Sequence, residues 1–394
     1  MSKRNRRLCS LLLCAALLLL MPSAALTADA GVTASVTIGT GLAAKPAAEV
    51  EARWDSGWFM EKASVYRREL ALTAMALSGA AYVRDEEQVP CVQTALEAFG
   101  FTRVQSYNAH IPIIASDKVA YTFAEQTLRS REGKPLRLAA VVIRGTGEYT
   151  EWASNLNVGT GSCHTGFSRA ADELLGSLAA YLAQGGPAKA GETVKFFITG
   201  HSRGGAAANL LAARLADSGL AKKEDVFCYT FAAPAVSVEA AEEGYENIFN
   251  IVNETDLVTL VPLSAWGYRR YGVDKPLPTG DAALFDGMNH QYKALSGQEY
   301  AAYRDPETVE RITAAVRRLA PSTSSANMEL IAAILNGDLE ELSRLMKQGG
   351  ALSMGRTALR LSAELAPLLG QEQEALRSAH CMAGYYSWLS ASPS

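Results

Sequence analysis

Cysteine is scarce in this chain and histidine scarcer still, and the cysteines are not spaced to hold a metal. Of the six cysteines in 394 residues, Cys9 and Cys14 fall in or beside an N-terminal apolar run. The others, Cys91, Cys163, Cys228 and Cys381, form no CxxC pair, which argues against a zinc site. Four cysteines admit three disulfide pairings, yet a chain of this size can bury a core that needs none, so free and paired thiols both stay open. A block of like charge is also missing. The net charge of -4 comes from 37 basic and 41 acidic side chains spread along the chain, so no field draws in a polyanion and nucleic acid is not an expected partner. No apolar run reaches the roughly 20 residues of a membrane span; Leu8 to Met21 falls short. A repeat architecture is excluded too. Asn336 to Leu359 has a faint ankyrin character, but one unit cannot bury its own face and no second copy follows.

What is present is the composition of a folded protein, 48% hydrophobic and 20% charged. Lys3, Arg4, Arg6 and Arg7 precede the apolar run and small residues follow it, so residues 1–30 are expected to be a secretory signal peptide, cleaved after Ala25 or Ala30. Residues 31–55, rich in Thr, Ala and Gly, read as a leader or linker. The main domain is expected over 56–394. Helical spacing marks Tyr66 to Tyr82 and Pro90 to Phe99. Then strand and helix patterns alternate: Leu138–Ile143, Phe167–Leu182, Val194–Thr199, Ala206–Leu215, with further strands at Val226–Phe231 and Ile248–Val252. Such alternation predicts an α/β protein with a mostly parallel central sheet covered on both faces. Helical patterns alone run on at Val309–Leu319, Met328–Leu345 and Ala358–Leu369, a helical insertion at about 290–375.

The segment VKFFITGHSRGGAAANLLAARLA carries the main chemical signal. GHSRG, Gly200 to Gly204, sets Ser202 between a predicted strand and a predicted helix. A nucleophile elbow forces the serine into a tight turn, and a Cβ two residues to either side would strike the neighbouring strand or helix. A serine hydroxyl needs a base, a carboxylate that orients the base, and two N–H donors for the oxyanion. In the α/β-hydrolase fold the chain order is serine, acid, histidine. Asp256 follows an apolar strand candidate, with Glu254 as its neighbour and competitor. Of the five histidines, His110, His164, His201, His290 and His380, only the last two come after Asp256. The base is therefore His290 or His380. Arg203, next to the nucleophile, offers one oxyanion N–H; the turn RGT after the strand Leu138–Ile143 offers the second, at Thr146. Beyond it, Tyr149, Trp152 and Leu156 fall on one side of a short helical segment, suited either to a lid over the serine or to packing in the core.

These pieces together resemble the class 3 (fungal-type) lipases and their bacterial secreted relatives. The resemblance rests on VVIRGTGEYTEWASNL, CHTGF, GHSRGG, ETDLVTLVP and the C-terminal SAHCMAGYYSWL. It covers about Tyr66 to Gly272 and the last fifteen or so residues. It implies an α/β-hydrolase fold and a triad of Ser202, Asp256 and His380. Thr146 and Arg203 would form the oxyanion hole, with His164 structural. The helical stretch between Asp256 and His380 is longer than in the compact fungal enzymes. The chemistry implied is cleavage of lipid or small carboxylic esters through an acyl-enzyme, with no metal or cofactor and with transient contact to a lipid surface. Phospholipase, thioesterase or acyltransferase activity could use the same residues, and a binding protein on a retained scaffold is the alternative outside catalysis.

Overall fold

A computed structural model describes residues 31–108, 118–145, 163, 165–186, 192–260, 264, 267–305, 307–318 and 370–393. In chain order the elements are β1 (Val32–Gly39), β2 (Ala47–Trp54), α1 (Arg68–Ala80), α2 (Cys91–Ala98), β3 (Thr102–Tyr107), β4 (Ala120–Arg129), β5 (Pro135–Arg144), α3 (Thr165–Gln184), β6 (Thr193–His201), α4 (Arg203–Asp217), β7 (Val226–Phe231), β8 (Ile248–Val252), β9 (Val273–Pro276), α5 (Ala282–Ser296), α6 (Thr308–Arg318) and α7 (Met382–Ala391). Residues 370–380 are also helical. The expected signal peptide, 1–30, and the expected helices Met328–Leu345 and Ala358–Leu369 lie outside the described residues.

Seven strands form one sheet in the order β3-β4-β5-β6-β7-β8-β9. β3, β4 and β5 pair antiparallel, and β5 through β9 pair parallel. Both faces are covered, which is why the parallel strands read as continuous apolar runs. Side-chain alternation divides these runs between two cores. Along β5, Leu138, Ala140 and Val142 enter one core, whereas Ala139, Val141 and Ile143 enter the other. Along β7, Phe227, Tyr229 and Phe231 join the first, and Val226 and Cys228 the second. α1 lies over the first face with the β1–β2 hairpin, and α3 and α4 over the second. This is the α/β-hydrolase fold. Cys91, Cys163, Cys228 and Cys381 are free thiols.

The expectation of a leader or linker over 31–55 is overturned. β1 and β2 pair antiparallel from Val32↔Trp54 to Gly39↔Ala47. In β2, Ala48, Val50, Ala52 and Trp54 are buried while Glu49, Glu51 and Arg53 are exposed. The Trp54 ring stacks on Phe99 at 5.7 Å and donates its Nε1–H to Gln126 at 3.1 Å. The hairpin is part of the hydrophobic core. α5 begins earlier than the expected insertion, and it packs on α7: Tyr292 is buried, and Phe285 lies 6.3 Å from the Trp388 ring.

Candidate active site

Strand β6 ends at His201 and helix α4 begins at Arg203, leaving Ser202 alone in the turn at φ 57°, ψ −129°. So short a strand-to-helix connection crowds the backbone, and the glycines around it show how closely. A Cβ on Gly200 would meet the Gly204 carbonyl oxygen at 2.5 Å, and one on Gly204 would meet the Gly145 nitrogen at 2.8 Å. The Ser202 N–H donates to the Phe231 carbonyl at 2.8 Å, tying the elbow to β7. As the first residue of α4, Arg203 contributes its backbone N–H to the helix-start donors that an oxyanion can use.

Asp256 stands in the turn after β8. Asn253 shapes that turn: its carbonyl accepts the Asp256 N–H at 2.9 Å, and its side-chain oxygen accepts the Thr255 N–H at 3.0 Å. One carboxylate oxygen of Asp256 accepts the Val258 N–H at 3.0 Å. The other lies 2.9 Å from His380 Nδ1 and accepts the Tyr385 hydroxyl at 2.9 Å. Glu254, its competitor in the sequence, is exposed.

His380 closes the helical stretch 370–380, one residue before Cys381 caps α7. Its Nε2 lies 3.1 Å from Ser202 Oγ. A carboxylate can only accept, so the Nδ1 facing Asp256 carries the hydrogen and Nε2 is left as the acceptor of a hydrogen bond from the serine hydroxyl. Ser202, Asp256 and His380 are all buried. The main chain around His380 is fastened on each side: Asn253 Nδ2 donates to the Ala379 carbonyl at 2.9 Å, and the Ala383 N–H donates to Thr40 of the hairpin at 3.1 Å. His290, the other base that chain order allows, is exposed on α5. Thr146, the lid residues Tyr149, Trp152 and Leu156, and His110 and His164 lie outside the described residues.

Two tyrosines and a histidine at this site escaped the sequence reading as functional side chains. Tyr385 donates to Asp256 while accepting the Asn253 N–H at 3.0 Å. Burial and the Asp256 charge push its hydroxyl far up, so it stays a donor. Its signal in the sequence is an aromatic five residues beyond His380, within SAHCMAGYYSWL. Tyr82 Oη accepts the N–H of Gly145 at 3.0 Å. His201 places Nε2 2.9 Å from the His380 carbonyl oxygen. Burial, and then the charge His380 can carry, hold the His201 imidazole well below the ordinary histidine range.

Comparison with known proteins bears on the same stretch. The secreted mono- and diacylglycerol lipase 1 of Fusarium solani is 31% identical over 171 residues, which cover 38% of this chain and 49% of that protein. The chain thus spans about half the length of that curated relative. Among solved structures, a triacylglycerol lipase described as having a serine protease triad at its catalytic centre is 21% identical, covering 54% of this chain and 82% of that one at a TM-score of 0.39. The Rhizomucor miehei lipase propeptide complex is 23% identical, covering 54% of this chain and 70% of that one at a TM-score of 0.37. The family model described as Lipase (class 3) matches residues 140–266. Over that stretch, which holds β5, the Ser202 elbow and Asp256, the chain carries the pattern of the class 3 lipases.

Proposed function

We propose that this protein is a secreted carboxylic ester hydrolase acting on lipid acyl esters. Ser202 is the nucleophile, His380 the base and Asp256 the acid that orients it; the N–H groups of Arg203 and Thr146 receive the oxyanion. The observation that carries the reading is the hydrogen-bonded line from Ser202 Oγ to His380 Nε2 at 3.1 Å and from His380 Nδ1 to Asp256 at 2.9 Å, starting in a strained strand-to-helix turn. The match to class 3 lipases over residues 140–266 and the likeness to a secreted mono- and diacylglycerol lipase support the substrate class. The basic and apolar leader composition supports export.

In the reaction, Ser202 Oγ attacks the ester carbonyl carbon as its proton passes to His380 Nε2. The carbonyl oxygen becomes an oxyanion held by the two N–H donors. Collapse of the tetrahedral intermediate breaks the bond to the alcohol oxygen, which takes the proton from His380, and the acyl group stays on Ser202. Water then repeats the sequence with His380 as base, releasing the acid and restoring the serine. Asp256 holds His380 in the Nδ1–H tautomer throughout and stabilises the imidazolium formed in each half. A lipid substrate also requires passing contact with a lipid surface.

The test is hydrolysis of a panel of p-nitrophenyl esters of graded acyl length, each presented as monomer and as emulsion. Turnover is expected on short and long chains, with the preferred length read from kcat/KM. Folded protein that cleaves no ester of any length contradicts the proposal.

A further inference from the structure

Among the buried titratable side chains of the site that the mechanism above leaves unused, one is a histidine. His201 is the last residue of β6, next to the nucleophile, and is only 2% exposed. Its Nε2 faces the backbone carbonyl of His380 at 2.9 Å. A carbonyl oxygen can only accept, so Nε2 carries the hydrogen and Nδ1 of the neutral ring is an acceptor. Nδ1 lies 3.3 Å from Tyr82 Oη, which also lies 3.3 Å from the His201 carbonyl oxygen. That same Tyr82 oxygen accepts the N–H of Gly145, the residue that follows β5 and precedes Thr146. A continuous line of hydrogen bonds therefore runs from Gly145 through Tyr82 to His201 and on to the main chain of His380.

We propose that His201, as the neutral Nε2–H tautomer, is a positioning residue that locks the main chain of the base to the elbow of the nucleophile and, through Tyr82, to the turn that enters the oxyanion hole. This rests on the reading of Ser202 and His380 as nucleophile and base. His380 and Gly145 stand more than two hundred residues apart in the chain, and His201 with Tyr82 links them. A side chain that grips both therefore sets the two halves of the machinery together, as preorganised donors require.

The groups facing the His201 ring fit that task. The His380 ring lies 5.0 Å away and the Tyr385 ring 5.8 Å, with Tyr82 at 6.0 Å. Asp256 is hydrogen-bonded to His380 Nδ1, and the Arg144 charge bears on Tyr82. His380 becomes an imidazolium in each half-reaction. A second positive ring at 5.0 Å would oppose it, and burial keeps His201 neutral so that none arises.

Three substitutions separate the two grips. His201→Gln keeps an N–H that reaches the His380 carbonyl; His201→Asn keeps an acceptor on the Tyr82 side but does not reach the carbonyl; His201→Phe keeps neither. With kcat and KM measured on a soluble short-chain ester from pH 5 to 9, His201→Gln should retain kcat within about threefold. His201→Asn and His201→Phe should each lose about 30- to 100-fold in kcat with KM changed about twofold or less, as expected when only transition-state geometry is lost. Equal loss in His201→Gln and His201→Phe, or full kcat in His201→Phe, overturns the inference while an active wild type leaves the hydrolase reading standing. Wild-type protein inert toward esters and toward a serine-directed phosphonate strikes the hydrolase reading and takes this role down with it. Should His201→Phe not fold, nitrogen-15 NMR of the histidine rings in the wild type decides. A His201 hydrogen on Nε2 from pH 6 to 8 supports the proposal, and a hydrogen on Nδ1, or an imidazolium, overturns it.

Discussion

Ser202 holds φ at 57°, a conformation that costs a residue with a side chain about 1–3 kcal/mol. The cost is met by what the turn achieves: the hydroxyl stands at the top of the sheet within 3.1 Å of His380. The surrounding glycines are required by contact. Gly204→Ala would drive its methyl group into the Ile143 carbonyl and the Gly145 nitrogen, both backbone and neither able to swing aside. It is expected to lower stability by about 2–4 kcal/mol, read as a shift in the urea midpoint, and to abolish turnover even where folded protein is recovered. An unchanged midpoint would show that the strand and helix can part. Tyr385 gives a subtler case. Tyr385→Phe leaves Asp256 with one fewer donor and the Asn253 N–H without its acceptor. A fall of about tenfold in kcat with a stability loss of about 1–3 kcal/mol is expected; wild-type kcat in that variant would reduce Tyr385 to packing.

At the scale of elements, the hairpin at 32–54 changes what must be kept for activity. Its turn supplies the Thr40 carbonyl that receives the Ala383 N–H, and Gly41 approaches Cys381 so closely that a Cβ there would lie 2.9 Å from the cysteine Cβ. β2 brings Trp54 into a ring cluster with Phe59, Phe99, Phe101 and Phe197. Trp54→Ala should cost about 3–5 kcal/mol, measured by chemical denaturation. Deleting 32–54 should give protein with no cooperative unfolding and no esterase activity; an active, folded truncation would return the segment to the status of a leader. The signal for β2 was present in the sequence, since Ala48, Val50, Ala52 and Trp54 alternate with Glu49, Glu51 and Arg53, but the Thr, Ala and Gly composition around it masked the alternation. The interior strands were easier. Val226–Phe231 and Ile248–Val252 were read with their observed bounds because both faces of a parallel strand are apolar. β3, β4 and β9 went unread, being edge or near-edge strands in which polar residues interrupt the apolar run.

For the whole molecule, the site gathers residues from four distant parts of the chain: α1 and its end at Tyr82, the elbow, the turn after β8, and the start of α7. Sequence order could narrow the base only to His290 or His380, and it was the resemblance of SAHCMAGYYSWL that favoured His380, because chain order cannot tell an exposed helical histidine from one brought beside the serine over 178 positions. The hydrogen-bond partners of the site, His201, Tyr82, Asn253 and Tyr385, are invisible to motif reading for the same reason; each acts across the fold. Buried neutral His201 also gives the molecule a pH dependence. An unfolded histidine takes up a proton below about pH 6.5, whereas folded His201 does so only at much lower pH. Its neutral form therefore costs nothing above that range, and stability falls as pH drops below it. The melting temperature should decrease from pH 7 to pH 5, and decrease less in His201→Gln; identical slopes would remove His201 from the acid sensitivity.

The central claim, that Ser202 is a nucleophile activated by His380 and Asp256, is tested most directly by reacting the folded protein with a fluorophosphonate and locating the adduct by peptide mass spectrometry. One adduct is expected, on the peptide containing Ser202. It should be absent in Ser202→Ala, formed at least about a thousandfold more slowly in His380→Ala, and formed at the wild-type rate in His290→Ala. Folded protein that takes up no phosphonate, an adduct on another residue, or a His290→Ala variant that is dead beside an unaffected His380→Ala would contradict it.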